Sequence, residues 1–273
     1  MKIYYSLKLG LTYLGNLELM KTSVFPFLII IFGVVILSSC KNDVKDNDEN
    51  QSVVSDTIPT ETIPDFMYLT AVSGLTLRAE PNLQSEKLKV MPLGTKLRLI
   101  THEDKTTMNV GGIDGAMVEV ELNGQKGYVF NGFISKFLPS GENAVPNNYF
   151  EDLRSVFPDV SYIETTGGTA SKPSKTQTIL LPTDQWHEGF FMAQQLYGIP
   201  RQFAFPNPKG SNNETQHNNN KRKGDLISEL VIIRSANTLQ KIVYNYRTKG
   251  LEYSISITQD GDRMKIEKVE GVI

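Results

Sequence analysis

A chain of 273 residues with 28 basic and 30 acidic side chains has a formal net charge of −2. It carries no basic field to gather phosphates, so nucleic acid is not an expected partner. The length accommodates one or two domains, and 40% hydrophobic with 21% charged residues is ordinary for a globular protein. A single cysteine, Cys40, excludes an internal disulfide, and no Cys/His cluster offers a zinc site. No metal or cofactor is expected, and the folded part must be held by its hydrophobic core.

In chain order, the first feature is "MKTSVFPFLIIIFGVVILSSCKND", read from Met20. Lys21 gives a positive end, Val24–Leu37 an apolar core, and Ser38 and Ser39 the small residues before Cys40, which is the layout of a secretory signal. The apolar run is shorter than the roughly 20 residues a spanning helix needs, and Pro26 weakens a helix there. "LSSC" resembles the lipobox of bacterial lipoproteins. The resemblance implies cleavage before Cys40 and acylation of its thiol and new amino end, so that two or three acyl chains anchor the protein. The competing reading is an uncleaved signal anchor with an incidental cysteine. Residues 1–19 fit neither part of the signal and are read as an over-called start. The resemblance also implies that an Asp directly after the cysteine would retain the protein in the inner membrane; Lys41 stands there, so the address the resemblance implies is the outer membrane, on its periplasmic or surface face. Asn, Asp, Ser, Thr and Pro dominate up to Asp65, which reads as a flexible tether over 40–65 with a span of roughly 25–30 Å.

From Phe66 to Leu138, Leu75/Leu77, Leu97/Leu99 and Val118/Val120/Leu122 alternate with polar residues, and Asn123-Gly124 supplies a hairpin turn. Short alternating strands of this kind predict a small antiparallel barrel. "LTLRAEPN", "MPLGTKLRLI" and "MVEVELNGQKGYV" occur in the order and spacing of the bacterial SH3-like (SH3b) domain, and residues 66–138 are similar to that family. The resemblance implies a module that contacts cell-wall peptide or a protein, or a spacer. Met117 and Tyr128 stand where the family usually has tryptophans. The candidate ligand contacts that remain are Tyr68, Arg78, Glu80, Tyr128, Phe130 and Phe133; the competing reading of each is barrel core or rim. For Arg78, the resemblance implies an ion pair that stabilises the fold as often as a ligand contact. "NVGGIDG", Asn109–Gly115, reads as a flexible loop insertion able to cover the groove.

A linker at 139–146 leads to a predicted α+β domain over 147–273. Tyr149, Phe150, Leu153 and Phe157 have helical spacing behind an Asn147 or Asn148 cap. "TTGGTASKPSKT" reads as a loop and "QTILLP" as a strand. "PTDQWHEGFFMAQQLYGIP" predicts a helix capped by Thr183, with Trp186, Phe190, Ala193 and Tyr197 as its apolar stripe and Gly198 and Pro200 as its stop. "NPKGSNNETQHNNNKRKGD" reads as a mobile polar loop. Leu226–Ile233, Leu239–Tyr246, Leu251–Ile257 and Met264–Val272 predict an up-and-down meander with helices on one face. The overall class is mainly β: a small SH3-like barrel, then an antiparallel meander packed by helices.

A lipidated Cys40 cannot serve as a nucleophile, and no second cysteine is present to pair with a histidine base. His187 beside Glu188 reads as a solvated pair. The expected role is therefore non-enzymatic: membrane attachment through lipid, and binding of cell-wall peptide or an envelope protein. The alternative is an envelope enzyme with a hydrolase-like site in the second domain, built from Asp184, His187 and Glu188 with Tyr244 and Tyr246. A cleft holding His187 and a carboxylate of shifted pKa would favour the enzyme. A filled sheet face lined by Trp186, Phe190, Tyr253 and Ile255 would favour binding.

Overall fold

The computed structural model describes residues 66–102, 105–141 and 144–272. Cys40, the signal at 20–39, the segment 1–19 and the tether at 40–65 lie outside the described residues. The first sheet is made by β1 (Phe66–Leu69), β2 (Leu75–Arg78), β3 (Lys87–Met91) and β4 (Lys96–Leu99). After a separate hairpin of β5 (Met108–Val110) and β6 (Ile113–Gly115), β7 (Met117–Leu122), β8 (Gln125–Phe130) and β9 (Ile134–Ser135) complete it. Its order is β3-β2-β8-β7-β4-β1-β9, with antiparallel pairing between the paired strands. The alternation seen in the sequence sets which side chains point inward: Leu77, Leu97, Val118, Val120 and Val129 fill the barrel, with Leu75, Leu99 and Leu122 packed against them. Asn123 and Gly124 both have positive φ, 51° and 82°, as a type I′ turn between β7 and β8 demands.

The segment read as a loop insertion, Asn109–Gly115, is instead the β5–β6 hairpin. Its Gly111-Gly112 turn has positive φ at both positions, and a Cβ on Gly112 would lie 3.0 Å from the Asn207 Cα. The tip therefore rests on a loop of the second domain.

That domain begins with α1 (Pro146–Val156). The N-cap lies two residues ahead of the nearer expected asparagine, Asn147: Val145 is the N-cap and Pro146 sits at the first helical position, where its missing N–H costs nothing. Phe150 is fully buried and stacks on Tyr162 at 5.0 Å. Next come β10 (Ser161–Gly168), β11 (Pro173–Leu181), α2 (Trp186–Tyr197) and β12 (Asn213–His217). β13 (Ile227–Ser235), β14 (Thr238–Arg247), β15 (Leu251–Asp260) and β16 (Arg263–Val272) are the predicted meander. The seven strands form one antiparallel sheet, β10-β11-β16-β15-β14-β13-β12, with α2 packed against β15 and β16.

Two stretches read as loops are strands. "TTGGTASKPSKT" closes the β10–β11 hairpin through reciprocal Thr169–Lys172 backbone bonds. The polar "NETQH" is β12, an edge strand docked on β13, where the Glu214 carboxylate meets the buried Arg234 guanidinium at 3.0 Å. Helix α2 also differs in detail: Gln185 is its N-cap, while Thr183 Oγ1 accepts the Gln185 N–H just ahead of it. Gly198 ends it in the left-handed conformation, as predicted.

The two modules share a core. Met117 and Phe130 lie on the outer side of the strands whose Val118 and Val129 fill the barrel, so they face away from it. Phe130, Ile113 and Phe137 join the apolar cluster of the second domain, which includes Phe190, Phe191, Phe203, Phe205, Ile255 and Ile257. The Gln195 amide donates to the Thr70 carbonyl across the same junction, and the described residues form one compact unit. Truncating Phe137, in the segment after β9, or Phe150, in α1, should each cost about 3–5 kcal/mol. Urea unfolding followed by tryptophan fluorescence and by circular dichroism should show both substitutions shifting one common transition; two separable transitions would contradict a shared core.

Candidate functional site

At the junction lies a groove of about 590 Å³. One wall comes from the β1–β2 connection and β2 (Ala71 to Thr76, and Arg78) together with Leu83. The β5–β6 hairpin contributes Val110, Gly111 and Ile113, and the barrel's outer face contributes Met117, Phe130 and Phe133. The second domain closes the other side with Phe191 and Gln194 of α2 and with Arg201, Phe203 and Phe205 of the loop after it. The Gln194 amide donates to the Pro200 and Phe203 carbonyls, which fixes that loop against the helix. The Phe130, Phe133 and Phe191 rings form a chain, with centroids 5.5 and 6.1 Å apart. A mostly apolar lining with few polar groups, at this volume, is the ordinary make-up of a ligand site.

Of the six candidates, Arg78, Phe130 and Phe133 line this groove. Phe130 is buried and Phe133 half-buried, so they serve both core and groove wall. Tyr68 is in register with Lys96 and Ser135 on β1, Tyr128 is in register with Arg78 on β8, and Glu80 is exposed; none of these three lines the groove. The residues missed were Phe191, Phe203 and Phe205. Their signal was an aromatic excess around α2 beyond what one stripe of the helix requires.

A second cleft, of about 350 Å³, lies on another side of the junction and holds His102, Asp114, Asn131, His187 and Glu188. His187 and Glu188 are not the solvated pair expected. Each Glu188 carboxylate oxygen accepts a hydroxyl: Ser135 Oγ donates to Oε1 at 2.5 Å, and Thr183 Oγ1 donates to Oε2. Burial raises the Glu188 pKa above the usual carboxylate value, opposed by those two hydrogen bonds and the nearby Lys136 charge. His187 sits edge-on to Phe191 and Phe205, and burial pushes its pKa down to about 4, opposed by Asp184. Tyr244 and Tyr246 do not join them. Tyr244 OH hydrogen-bonds with Ser228 and Tyr246 OH donates to Asp225, on the β13–β14 side of the sheet. His217 is on β12 and meets Glu229 at 3.3 Å.

Residues 73–135 match the family model for the bacterial SH3 domain. Residues 73–135 are thus a bacterial SH3 domain, followed in the described residues by a β-rich domain. No curated protein and no solved structure matches the chain.

The two shifted groups give opposite pH dependences. Glu188 has its pKa raised by folding, so its contribution to stability is full below the ordinary glutamate value and falls as pH rises through its elevated pKa. His187 has its pKa lowered, so its contribution is full above 6.5 and is lost as pH falls toward 4. In urea titrations from pH 4 to 9, Glu188→Gln should remove the alkaline-side loss and His187→Asn the acid-side loss. Unchanged profiles would contradict the burial of these groups.

Proposed function

We propose that this is a lipid-anchored cell-envelope protein, held through Cys40, that binds a peptide segment of the cell wall or of an envelope protein noncovalently in the junction groove. The observation that carries the reading is the groove itself. Its apolar walls come from both modules, and Arg78, Phe130 and Phe133, singled out by the SH3b resemblance, lie in it. The peptide class is supported by the bacterial SH3 domain that supplies one wall.

The rival, an envelope hydrolase, draws on the cleft that holds His187 and Glu188 with shifted pKa values. Three features favour binding over it. Both Glu188 oxygens are occupied by hydroxyls from either side of the junction, which makes the carboxyl a latch between modules. The Ser135 hydroxyl that touches it belongs to a residue only 2% exposed, out of reach of a substrate. The sheet face is filled, with Phe190 and Ile255 fully buried and Trp186 and Tyr253 packed against them.

The test is retention on purified sacculi. Leu83 lines the groove yet is 39% exposed, so Leu83→Ser should weaken retention several-fold without unfolding the protein. Val156→Ser, at an exposed position on α1, should leave retention unchanged. Equal retention of all three proteins would remove the wall-binding form of the proposal. Release of soluble fragments from the sacculi, followed by chromatography, would favour the hydrolase.

A further inference from the structure

Resting on the groove as a peptide site, we infer that it selects peptides with an apolar residue next to a carboxylate, and that Arg78 is the residue that reads the carboxylate. Two arginines of this chain show the contrast that leads there. Arg234 has a side chain only 1% exposed, and all three of its guanidinium nitrogens are engaged. It meets Glu214 at 3.0 Å and donates to the Asn207 carbonyl from Nε and Nη2, and to the Ser211 carbonyl from Nη1. Arg78 is half-buried in an apolar lining and makes one bond, from Nη1 to the Ser85 carbonyl at 2.8 Å. Among the described residues no carboxylate forms an ion pair with it, including the exposed Glu80 two positions on.

A guanidinium has five N–H donors, so four remain. A cation partly withdrawn from water without an anion is unfavourable, and a ligand carboxylate is the group that satisfies a planar fork of donors best.

The fork is also held in place before any ligand arrives. Ser85 Oγ donates to the Glu80 carbonyl at 3.1 Å and accepts the Glu80 N–H at 3.2 Å, while the Ala79 N–H reaches the Glu86 carbonyl. This closes the loop from 79 to 86 into a rigid turn whose Ser85 carbonyl anchors one arm of Arg78. Leu75, Leu83, Phe133, Phe203 and Phe205 line the same groove as Arg78. A carboxylate on Arg78 therefore places the neighbouring part of the ligand in the apolar trough, which accounts for the paired requirement.

The experiment titrates the full-length protein with the tripeptide Ala-Leu-Phe as free acid, the same peptide as C-terminal amide, the amide of Ala-Asp-Phe, and octanoate, with dissociation constants from calorimetry. The free acid should bind at least about tenfold more tightly than its amide, as one charge-assisted contact implies. Arg78→Gln should abolish that difference while its melting temperature stays within a few degrees of wild type, and Arg78→Lys should restore part of it. Recovery of affinity by the aspartyl amide assigns the selectivity to any carboxylate in reach rather than to a chain end. Equal binding of acid and amide overturns the inference and leaves the groove as a peptide site. Acid preference that persists in Arg78→Gln overturns the assignment to Arg78. Octanoate binding as tightly as the peptide acid overturns the peptide class in favour of an amphiphile, and no binding by any probe removes the groove reading together with the inference.

Discussion

The barrel turns an apolar row outward, and that row decides the rest of the architecture. Antiparallel pairing puts Met117 opposite Phe130 on the side of β7 and β8 away from the barrel's own core. Left in water, this face would expose a large aromatic surface, which soluble proteins cover or use. Here α2 and the loop after it cover most of it: Phe191 meets the Phe133 ring of the barrel, and Phe205 packs against Phe190 and Phe191 behind it. Covering is incomplete beside β2, and the uncovered part is the groove. Core and site are thus two portions of one apolar surface, divided by how far the second domain reaches.

Polar groups at the junction follow from the same burial. Glu188 is partly withdrawn from water where α2 docks, and it is satisfied by a hydroxyl from each side, Ser135 from the barrel and Thr183 from its own domain. The segment from 199 to 218, which includes β12, is tied down as well. Asn218 donates to Ser228 Oγ, which in turn hydrogen-bonds with the buried Tyr244, and the Gln202 amide donates to Asn218. With its neighbours satisfied, Arg78 stands out as a charge whose donors exceed its partners in the described residues. A groove between tightly bonded walls is pre-organised, and pre-organisation lowers the entropic cost of binding a short peptide.

Much of this was legible in the sequence because the relevant signals are local. Alternation over Leu75/Leu77 and Val118/Val120, together with the Asn123-Gly124 turn, specifies strands and one hairpin without reference to anything distant. The meander from Ile227 to Val272 was equally plain, since each strand pairs with the next. The β10–β11 hairpin was not. Thr165, Thr166, Gly167 and Gly168 have no apolar period, and β11 is held in the sheet by β16, some ninety residues away. β12 was hidden for the same reason: its polar residues are strand only because β13 offers an edge and Arg234 a charge to meet. The site was legible by half. Arg78, Phe130 and Phe133 carry the barrel motif, whereas Phe191, Phe203 and Phe205 join them only through tertiary docking. His187 and Glu188 read as solvated because adjacency on a helix start gives no hint of a barrel settling over them.

The central claim is that one ligand surface is built from both modules. Amide chemical-shift mapping of the full-length protein with soluble wall peptides tests it most directly. The account predicts perturbations on both walls together, at Leu75, Leu83 and Met117 on one side and at Phe191, Phe203 and Phe205 on the other. Shifts confined to the barrel around Tyr68 and Tyr128, with the second domain silent, would contradict it.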